Sequence, residues 1–403
     1  MSNTFAANLM PRIIADSRLW LRKQARFLGL VNHDFSDAAG KVGQVVTVPI
    51  PTAIGNTTLT ADRLPPAATD LTFATATLTL DQAIVSNPFT VEQIHLQNYQ
   101  IAGPGSVLQQ QINAAIDTVV AHCATNLQSK YYMVPSFVGT AGSSFFDPSG
   151  SAPTMNGLAD IKQALFKQLV PPERPIHGVF SYKDFTVLRK IQEVRQAYSI
   201  GTPSVIQDSQ FPSLMGIGMV EDYFAGTIHT VGTITTGLAV TAAQPVGDTT
   251  LVCTTAASTG ACALKKGDIV TVGNYTYALT ADATQASAAA SVSLLLDRGL
   301  DEAATTSEAV TLTTNFGTGR VNIAGDLLGA SVVARLPSNP ADISEMPVKL
   351  MGEHYPITDP VSGLSVLLSF YGQYFQRTMQ VSLVYGTSMT DPRRLVRCLS
   401  ANA

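Results

Sequence analysis

Two strand-like runs separated by a long turn-rich segment constrain this chain more than any other feature. Residues 44–50 (QVVTVPI) and 71–85 (LTFATATLTLDQAIV) have the composition and alternation of a β-hairpin. The segment between them carries several turn-forming Pro and Gly residues. A connection of that length is uncommon inside a compact domain. We therefore predict an extended β-hairpin loop over residues 41–86 that projects from the body of the protein.

A long helix is predicted after the hairpin, and an arm before it. In residues 104–131 the apolar positions recur at helical spacing, and Ser106 with Gln109 forms a capping box. Such a helix would be about 40 Å long at 1.5 Å per residue and would act as a spine. Residues 1–40 are predicted to form an amphipathic, basic arm. It would dock either on a neighbouring molecule or on its own domain.

The middle of the chain changes composition twice. Residues 155–231 and 319–340 have an α/β pattern, with a helix from about residue 156 to 170 and with Ser181 and Asp184 at the start of the next helix. Residues 232–318 are instead dominated by Thr, Ala, Val, Gly and Ser, with short β-runs divided by turns. That pattern predicts a small all-β barrel or sandwich inserted into an α/β host.

The last part of the chain, residues 341–403, is rich in strand-forming residues. Three runs, at 347–357, 364–375 and 379–389, are predicted to form one antiparallel sheet. Asp391, Arg393 and Arg394 then turn the chain into a final strand. Together with the helices, these segments place the protein in the α+β class.

The charge content favours a protein that packs against other subunits. Charged residues make up only 13% of the chain, about half of the roughly 25% usual in globular proteins. Burying Thr or Ala costs far less than burying Lys or Glu, so such a surface suits subunit contacts; a bland exterior over large internal sheets is the alternative. The net charge of −4 excludes a protein that coats DNA along its whole length. Only the arm concentrates positive charge, at Arg12, Arg18, Arg22, Lys23 and Arg26.

The sequence predicts no catalytic, cofactor or metal site. The six histidines are scattered without the spacing of a metal site. His354, Asp359 and Ser362 form a triad on paper only, because proximity in sequence does not establish geometry. The four cysteines lack metal-ligand spacing. Cys253 and Cys262 are predicted to face each other across a hairpin, with a disulfide disfavoured in a reducing cytoplasm.

Three segments resemble a known family. The hairpin-then-helix order at 44–131, the stretch LKKGDIVTVGNYTYALTADAT at 264–284, and the terminal MQVSLVYGTSMTDPRRLVRCLS at 379–400 are similar to the tailed-bacteriophage major capsid fold. In the last segment the similarity includes an aromatic–Gly pattern followed by Pro, here Tyr385, Gly386 and Pro392. This fold is often called the Hong Kong phage capsid fold. The inserted β-region makes the podovirus-type branch the nearer resemblance.

The resemblance implies a role for each segment. Residues 87–154 and 341–403 would form a peripheral domain that carries the spine helix. Residues 155–231 and 319–340 would form an axial domain, with the inserted β-domain at 232–318 on the outside of the shell. The arm (1–40) and the loop (41–86) would reach neighbouring subunits. The branch resembled is held together noncovalently, so no covalent cross-link between subunits is implied.

The resemblance also implies what the protein assembles into and with which partners. Subunits would form hexamers and pentamers of an icosahedral phage head that encloses double-stranded DNA without sequence specificity. A scaffolded precursor shell would form in the host bacterial cytoplasm and expand on maturation. The implied partners are the protein itself, a scaffolding protein, a portal protein and, in some systems, a decoration protein, with no membrane involved. A nanocompartment or other cellular shell protein of the same fold is an alternative, and a β-rich two-domain hydrolase is a more distant one.

Contact residues are predicted in three places. Asp62 and Arg63 at the loop tip are expected to pair with a neighbouring subunit, or else to be solvated charges. Arg18, Arg22, Lys23 and Arg26 of the arm are expected to meet the scaffold, packaged DNA or a neighbour. The third set is expected in the peripheral domain and comprises Asp391, Arg393 and Arg394.

Overall fold

Strands outnumber helices in the part of the chain that the computed structural model describes. That part comprises residues 25–33, 43, 45–51, 73–92, 107–148, 150, 153–168, 170–171, 173–191, 213–234, 237–255, 262–285, 290–313, 316–336, 353–359, 361–373 and 376–401. Within it, the α-helices are α1 (Val107–Ser129), α2 (Asn156–Lys167) and α3 (Tyr182–Leu188). Short 3-10 helices span Arg26–Leu30, Lys130–Met133, Leu327–Gly329 and Pro392–Arg394.

The strands are numbered here in chain order. They are β1 (Val45–Pro51), β2 (Phe73–Thr79), β3 (Gln82–Val85), β4 (Phe89–Glu92), β5 (Phe137–Val138), β6 (Ile176–Phe180), β7 (Ser213–Leu214), β8 (Ile217–Glu221), β9 (Thr227–His229), β10 (Thr233–Ile234), β11 (Leu238–Val240), β12 (Thr250–Thr255), β13 (Cys262–Leu264), β14 (Ile269–Val272), β15 (Tyr275–Ala278), β16 (Ala283–Thr284), β17 (Val292–Leu295), β18 (Ala309–Leu312), β19 (Gly319–Gly325), β20 (Ala330–Arg335), β21 (Glu353–Thr358), β22 (Ser365–Gln373), β23 (Gln376–Met389) and β24 (Leu395–Ser400). The α+β class predicted from the sequence is confirmed.

One antiparallel sheet lies against the long helix α1, and we call it the spine sheet. Its strand order is β20-β23-β22-β21. The short strands β3 and β4 also pair with the long strand β23. The predicted pairing of the three C-terminal runs is confirmed by β21, β22 and β23. The apolar stripe of α1 is buried against this sheet in one continuous core, through Ile112, Ile116, Val119, Cys123 and Leu127.

A second sheet mixes parallel and antiparallel pairs, and we call it the mixed sheet. Its order is β5-β24-β19-β6-β8-β7, with β9 also paired to β19. Strands β6 and β8 are parallel. Helices α2 and α3 pack on this sheet, with Leu158, Ile161 and Leu165 of α2 buried. The predicted cap of α3 is confirmed, because the Asp184 backbone N–H donates to Ser181 Oγ at 3.4 Å.

Two strands lie in sheets other than those the sequence suggested. The prediction grouped residues 319–340 together and placed the last strand with the C-terminal sheet. In the structure β24 pairs with β19 in the mixed sheet, whereas β20 pairs with β23 in the spine sheet. Between β19 and β24 the chain passes from the mixed sheet to the spine sheet at Leu327–Gly329 and returns at Pro392–Arg394, and we call these two turns the sheet crossings. Both connections are tight turns, so composition alone does not reveal the exchange.

Residues 233–312 form a region with its own core, which we call the inserted unit. It contains a three-stranded sheet, β10-β13-β16, and a six-stranded sheet, β15-β14-β18-β11-β12-β17. The two edges of the larger sheet meet, because Leu279 forms a bridge with Leu296 and the Thr280 N–H donates to the Leu295 carbonyl at 2.9 Å. Cys253 on β12 and Cys262 on β13 are buried free thiols. Strands β12 and β13 pair with other strands and not with each other. The prediction that the two cysteines face each other across a hairpin is therefore wrong.

Candidate interaction surfaces

The predicted hairpin is present as a two-stranded ribbon formed by β1 and β2. Its pairing runs without interruption from Val45 opposite Thr79 to Pro51 opposite Phe73. In the described part of the chain no third strand joins it. The returning strand is shorter than predicted, because residues 82–85 form the separate strand β3 against β23. The tip residues Asp62 and Arg63 lie outside the described residues, so their contact role stays a prediction.

The base of the ribbon packs on the body of the protein. Leu78 and Leu80 are buried there against Val333 and Val384. Val45, which lies opposite Thr79 at the same end of the ribbon, is 50% exposed. The base is therefore a small apolar anchor on one face of the ribbon, and the other face is exposed at Val45.

Gly386 of β23 is the point where the ribbon base crosses the spine sheet. A Cβ added at this glycine would lie 2.8 Å from the carbonyl carbon of Thr79, nearer still to its oxygen, and 3.2 Å from the Cα of Leu80. Tyr385 and Gly386 belong to the aromatic–Gly pattern before Pro392 that the sequence shares with the resembled family. The structure places them inside the long strand β23, with the turn only at Pro392.

The end of the arm is fixed to the body of its own chain. The buried carboxylate of Asp222 accepts the backbone N–H of Phe27 at 3.2 Å and that of Phe224 at 2.8 Å. Burial raises the pKa of Asp222. The backbone hydrogen bonds from Phe224, Phe27 and Arg26, together with the positive charge of Arg26, lower this pKa and so oppose the rise. The Arg26 side chain is exposed. Arg18, Arg22 and Lys23 lie outside the described residues, so the arm contacts stay predictions.

The third predicted contact set joins the two sheet crossings to each other. Asp391 accepts from Arg393 Nε at 3.1 Å and from Arg394 Nε at 3.0 Å. Arg394 also reaches the buried Asp326 at 3.4 Å, and Asp326 caps the other crossing by accepting the Leu328 N–H. Arg394 is thus an internal tie. Arg393, with a side chain 56% exposed, is the member of the set most open to a partner.

Arg393 also lines an open groove between several parts of the fold. The groove has a volume of about 1240 Å³, and its walls include Thr77 of the ribbon, Lys167 of α2 and Arg298 of the inserted unit. Arg298 is held by Asp301 at 3.0 Å, as Arg393 is held by Asp391. Each of these two arginines is therefore paired with a nearby carboxylate.

A partly buried polar clasp holds α1 to the spine sheet. The hydroxyl of Tyr385 hydrogen bonds to Nδ1 of His122 and accepts from Asn126 Nδ2 at 3.4 Å. Thr387 Oγ1 donates to Asn126 Oδ1 at 3.0 Å. Burial raises the pKa of Tyr385 to about 12. The clasp fixes the rotation of the helix against β23, which apolar contacts alone do not specify.

The junction between the inserted unit and the body contains a fully buried arginine. Arg397 of β24 donates to three backbone carbonyls, those of Val134, Gly267 and, at 2.9 Å, Tyr132. Burial lowers the pKa of Arg397 to about 10. Arg397 was not among the residues predicted from the sequence. Its signal was a single charge at an inward position of an otherwise apolar strand, LVRCLS.

A chain of buried side chains continues from this arginine. The Tyr131 hydroxyl lies 2.8 Å from His229 Nδ1, and His229 Nε2 lies 2.8 Å from Asp268 Oδ1. The other oxygen of Asp268 accepts the N–H groups of Gly232 and Lys265. Although a Tyr–His–Asp series is a possible catalytic order, His229 and Asp268 are buried with their hydrogen-bonding atoms engaged inside the protein. The arrangement is that of a structural junction.

The triad considered from the sequence is not assembled. Ser362 Oγ donates to Asp359 Oδ2 at 2.6 Å within one turn, whereas His354 bonds to Ser369 across the spine sheet. Among the described residues no group of His, Cys, Asp and Glu side chains is arranged to hold a metal ion. The described helices include none with the length and apolar character needed to cross a membrane.

Comparison with known proteins finds similarity only in structure. No protein-family model matches the chain, and no curated protein matches it. The solved structures to which it is similar include phage capsids. A structure from Mycobacterium phage Che8 has 14% identity and a TM-score of 0.48, over 94% of this chain and 92% of that chain. The capsid of cyanophage P-SCSP1u has 12% identity and a TM-score of 0.47, over 95% and 90%. The mature capsid of bacteriophage PhiM1 has 8% identity and a TM-score of 0.45, over 95% and 88%.

Proposed function

We propose that this chain is the major capsid protein of a tailed bacteriophage, a subunit that acts by self-assembly rather than by catalysis. The observation that carries the proposal is the ribbon formed by β1 and β2. It extends from the body on a small apolar anchor, with no third strand among the described residues. An isolated two-stranded hairpin is at best marginally stable in water. A ribbon of this kind is stabilised when a neighbouring copy covers it.

Two further properties support self-assembly. The first is the low charge content, 13% of residues, which keeps the desolvation cost of broad contacts small. The second is the construction of the body, in which a polar clasp and two tight crossings join the spine sheet to α1 and to the mixed sheet. A subunit built this way moves as nearly one body when the shell changes shape.

The finer assignments belong to the same proposal. Hexamers and pentamers would form an icosahedral head around double-stranded DNA, assembled in the bacterial cytoplasm and later carried in the virion. The ribbon tip with Asp62 and Arg63 would contact a neighbour in the same capsomer. Arg18, Arg22, Lys23 and Arg26 would meet an acidic scaffolding protein or DNA. A portal protein and, in some systems, a decoration protein would complete the shell.

Expression of the full chain, alone and with its candidate scaffolding protein, tests the proposal. Lysates would be fractionated by sedimentation, and the fast-sedimenting material imaged by negative-stain electron microscopy. Closed shells or tubes built from regular capsomers are expected. A folded chain that stays monomeric under both conditions would exclude a capsid role. Nuclease-protected DNA inside particles isolated from the natural source would separate a phage head from a shell that encloses proteins.

A further inference from the structure

We propose that the outer edge of β2 is the pairing edge of the ribbon, and that an extended segment of a second copy of this chain adds a strand to it in the groove lined by Thr77. The outer edge of β1, on the other side of the ribbon, is closed to such pairing. The inference rests on the proposed self-assembly and names the edge and the groove that the neighbouring copy uses.

The backbone directions in β2 follow from two contacts at its base. Along a strand, successive residues direct their N–H and C=O groups alternately toward one neighbouring strand and the other. The Leu80 carbonyl points toward the β1 side of the ribbon, where it accepts the Gly43 N–H at 2.8 Å. The Thr79 carbonyl points instead toward β23, since a Cβ added to Gly386 would meet it. Thr77 shares the phase of Thr79, so its backbone N–H and C=O lie on the outer edge of β2.

The outer edge of β1 carries prolines at the corresponding positions. Thr47 lies opposite Thr77, and Pro49 lies opposite Thr75. Residues directly opposite each other in an antiparallel pair direct their backbone groups either both inward or both outward. Pro49 and Pro51 therefore belong to the outward set and supply no N–H, which is a known way of blocking a strand edge. The outer edge of β2 keeps its N–H groups at Thr75 and Thr77.

Backbone groups of unpaired strand edges border the groove on two walls. Thr77 lies in one wall, and Phe137 and Val138 of β5 lie in another. Strand β5 is the last strand of the mixed sheet in the described part of the chain. The Arg397 N–H donates to the Ser136 carbonyl at 2.9 Å, so the backbone N–H and C=O of Phe137, the next residue, point away from β24. The groove therefore presents donors and acceptors from two separate strand edges.

An extended polypeptide is the ligand that such edges recognise. It supplies N–H and C=O groups at strand spacing, and an exposed sheet edge binds it by adding it as a further strand. Its main-chain hydrogen bonds contribute most of the affinity in this mode of recognition. The β2 edge thus requires a segment of chain without regular helical structure at this point.

The charge balance of the groove favours a segment of this same chain. The described lining contains three basic and three acidic side chains, which are Lys167, Arg298, Arg393, Asp160, Asp297 and Asp391. A balanced groove attracts neither DNA nor a strongly acidic peptide. A chain with only 13% charged residues supplies extended segments of low charge. A groove on one copy that receives a segment of the next is a head-to-tail contact, which closes into a ring when the rotation permits.

The test compares Thr77→Pro with Thr47→Pro in the full chain. The two threonines face each other across the ribbon, and each substitution removes one outward N–H while the hydrogen bonds between β1 and β2 remain. Only Thr77→Pro blocks the open edge, because Thr47→Pro extends the series of Pro49 and Pro51 on the closed one. We expect Thr77→Pro to lower the particle yield, measured by sedimentation, roughly tenfold or more. Thr47→Pro should give the native yield.

Amide exchange in the native chain gives a second readout that needs no variant. Hydrogen–deuterium exchange would be compared between particles that contain this chain alone and subunits dissociated from them. The amides of Thr75 and Thr77 are expected to exchange roughly a hundredfold more slowly in the particles, because pairing engages them, whereas the Thr47 amide exchanges equally in both. If Thr77→Pro does not fold, as judged by denaturant unfolding of subunits, this measurement decides the proposal.

The possible outcomes separate the pairing edge from the capsid function. Equal particle yields for the two folded variants, or equal exchange at Thr75 and Thr77 in particles and subunits, would overturn the pairing edge and leave the capsid function standing. Protection of these amides only while a scaffolding protein is present would overturn the second copy as the occupant.

Absence of particles from the native chain, with and without its candidate scaffolding protein, would overturn the capsid function instead. Sedimentation of the soluble chain would then decide the pairing edge. A concentration-dependent oligomer that Thr77→Pro abolishes and Thr47→Pro retains would support the β2 edge. A native chain that stays monomeric would overturn it.

Discussion

Replacement of Gly386 by alanine should detach the base of the ribbon while leaving the rest of the subunit folded. Gly386 is buried in the middle of β23, where the backbone of Thr79 and Leu80 passes directly over it. Its φ is not in the left-handed region, so alanine introduces no backbone strain. The whole effect is steric.

The size of the effect follows from the close approach. The added Cβ would lie 2.8 Å from the Thr79 carbonyl carbon and nearer to the oxygen, and a backbone group cannot rotate away as a side-chain end does. Overpacking of this kind costs about 1–3 kcal/mol. A shift of the crossing strand would relieve the overlap by partly exposing Leu78 and Leu80 of the apolar anchor, which costs a fraction of the roughly 1.5–3 kcal/mol that each buried leucine contributes. We expect a loss of about 2–4 kcal/mol, concentrated at the ribbon.

Gly372 offers a matched control, because it lies in the adjacent strand β22 and an added Cβ there meets no atom within 4 Å. The assay has two parts: denaturant unfolding of dissociated subunits, and the yield of particles by sedimentation. Gly386→Ala should lose stability and lower the particle yield at least tenfold, while Gly372→Ala behaves as the native chain. If Gly386→Ala assembles as well as Gly372→Ala, the reasoning that the ribbon base must cross at this glycine is refuted.

Three other predictions concern a tyrosine, an arginine and the ribbon tip. Tyr385→Phe should lower the free energy of unfolding by about 1 kcal/mol at pH 7, because the hydroxyl loses its partners in the clasp. Since burial raises the pKa of Tyr385 to about 12, the unfolded tyrosine ionises first as the pH passes about 10. The native chain therefore loses more stability than the variant between pH 10 and 12, and a difference that stays constant up to pH 11 would contradict this. Arg393→Ala should change the free energy of unfolding of the subunit by less than about 1 kcal/mol and yet reduce the particle yield. An unchanged yield with this variant would remove Arg393 from the contact set. Asp326→Ala should instead cost about 1–3 kcal/mol of stability, because it removes a buried helix cap and the partner of Arg394. Neutralising the ribbon tip with Asp62→Asn and Arg63→Gln should lower the particle yield at low salt. The difference from the native chain should vanish near 1 M salt, where the Debye length is about 3 Å. Equal particle yields at low salt would mean that these two charges are only solvated.

The elements with strong local periodicity could be predicted from the sequence. The helix expected at 104–131 is observed as Val107–Ser129, because its apolar residues repeat over several turns. The two hairpin strands, the inserted β-region and the antiparallel order of the C-terminal runs follow from alternation and turn residues in the same way. In each case the signal lies within the segment itself, so the rest of the fold does not alter it.

The features that escaped prediction depend on contacts between distant segments. Strands β20 and β24 are both apolar, and either sheet could bury them, so their exchange between sheets is fixed only by the paired crossings at Leu327–Gly329 and Pro392–Arg394. The roles of Asp391 and Arg394 follow from that geometry: the sequence marks a turn, and only the fold shows the second turn that they bind. The missed junction is of the same kind, since Tyr131, His229 and Asp268 are widely separated along the chain.

The internal ion pairs of Asp391 and Arg394 and the arginine that was not predicted indicate one criterion for finding interfaces inside such a chain. In a protein with so few charges, each charged residue in a buried strand or tight turn must be compensated within reach, because an unpaired buried charge costs several kcal/mol. Arg397 satisfies this with carbonyls from two separate units, and Arg394 with carboxylates from two separate turns. Arg393 is the contrast, because its side chain keeps a single partner and stays mostly exposed. We therefore predict that charges that hold the subunit together have several buried partners, whereas a charge that contacts a neighbouring subunit would resemble Arg393, with one partner and an exposed side chain.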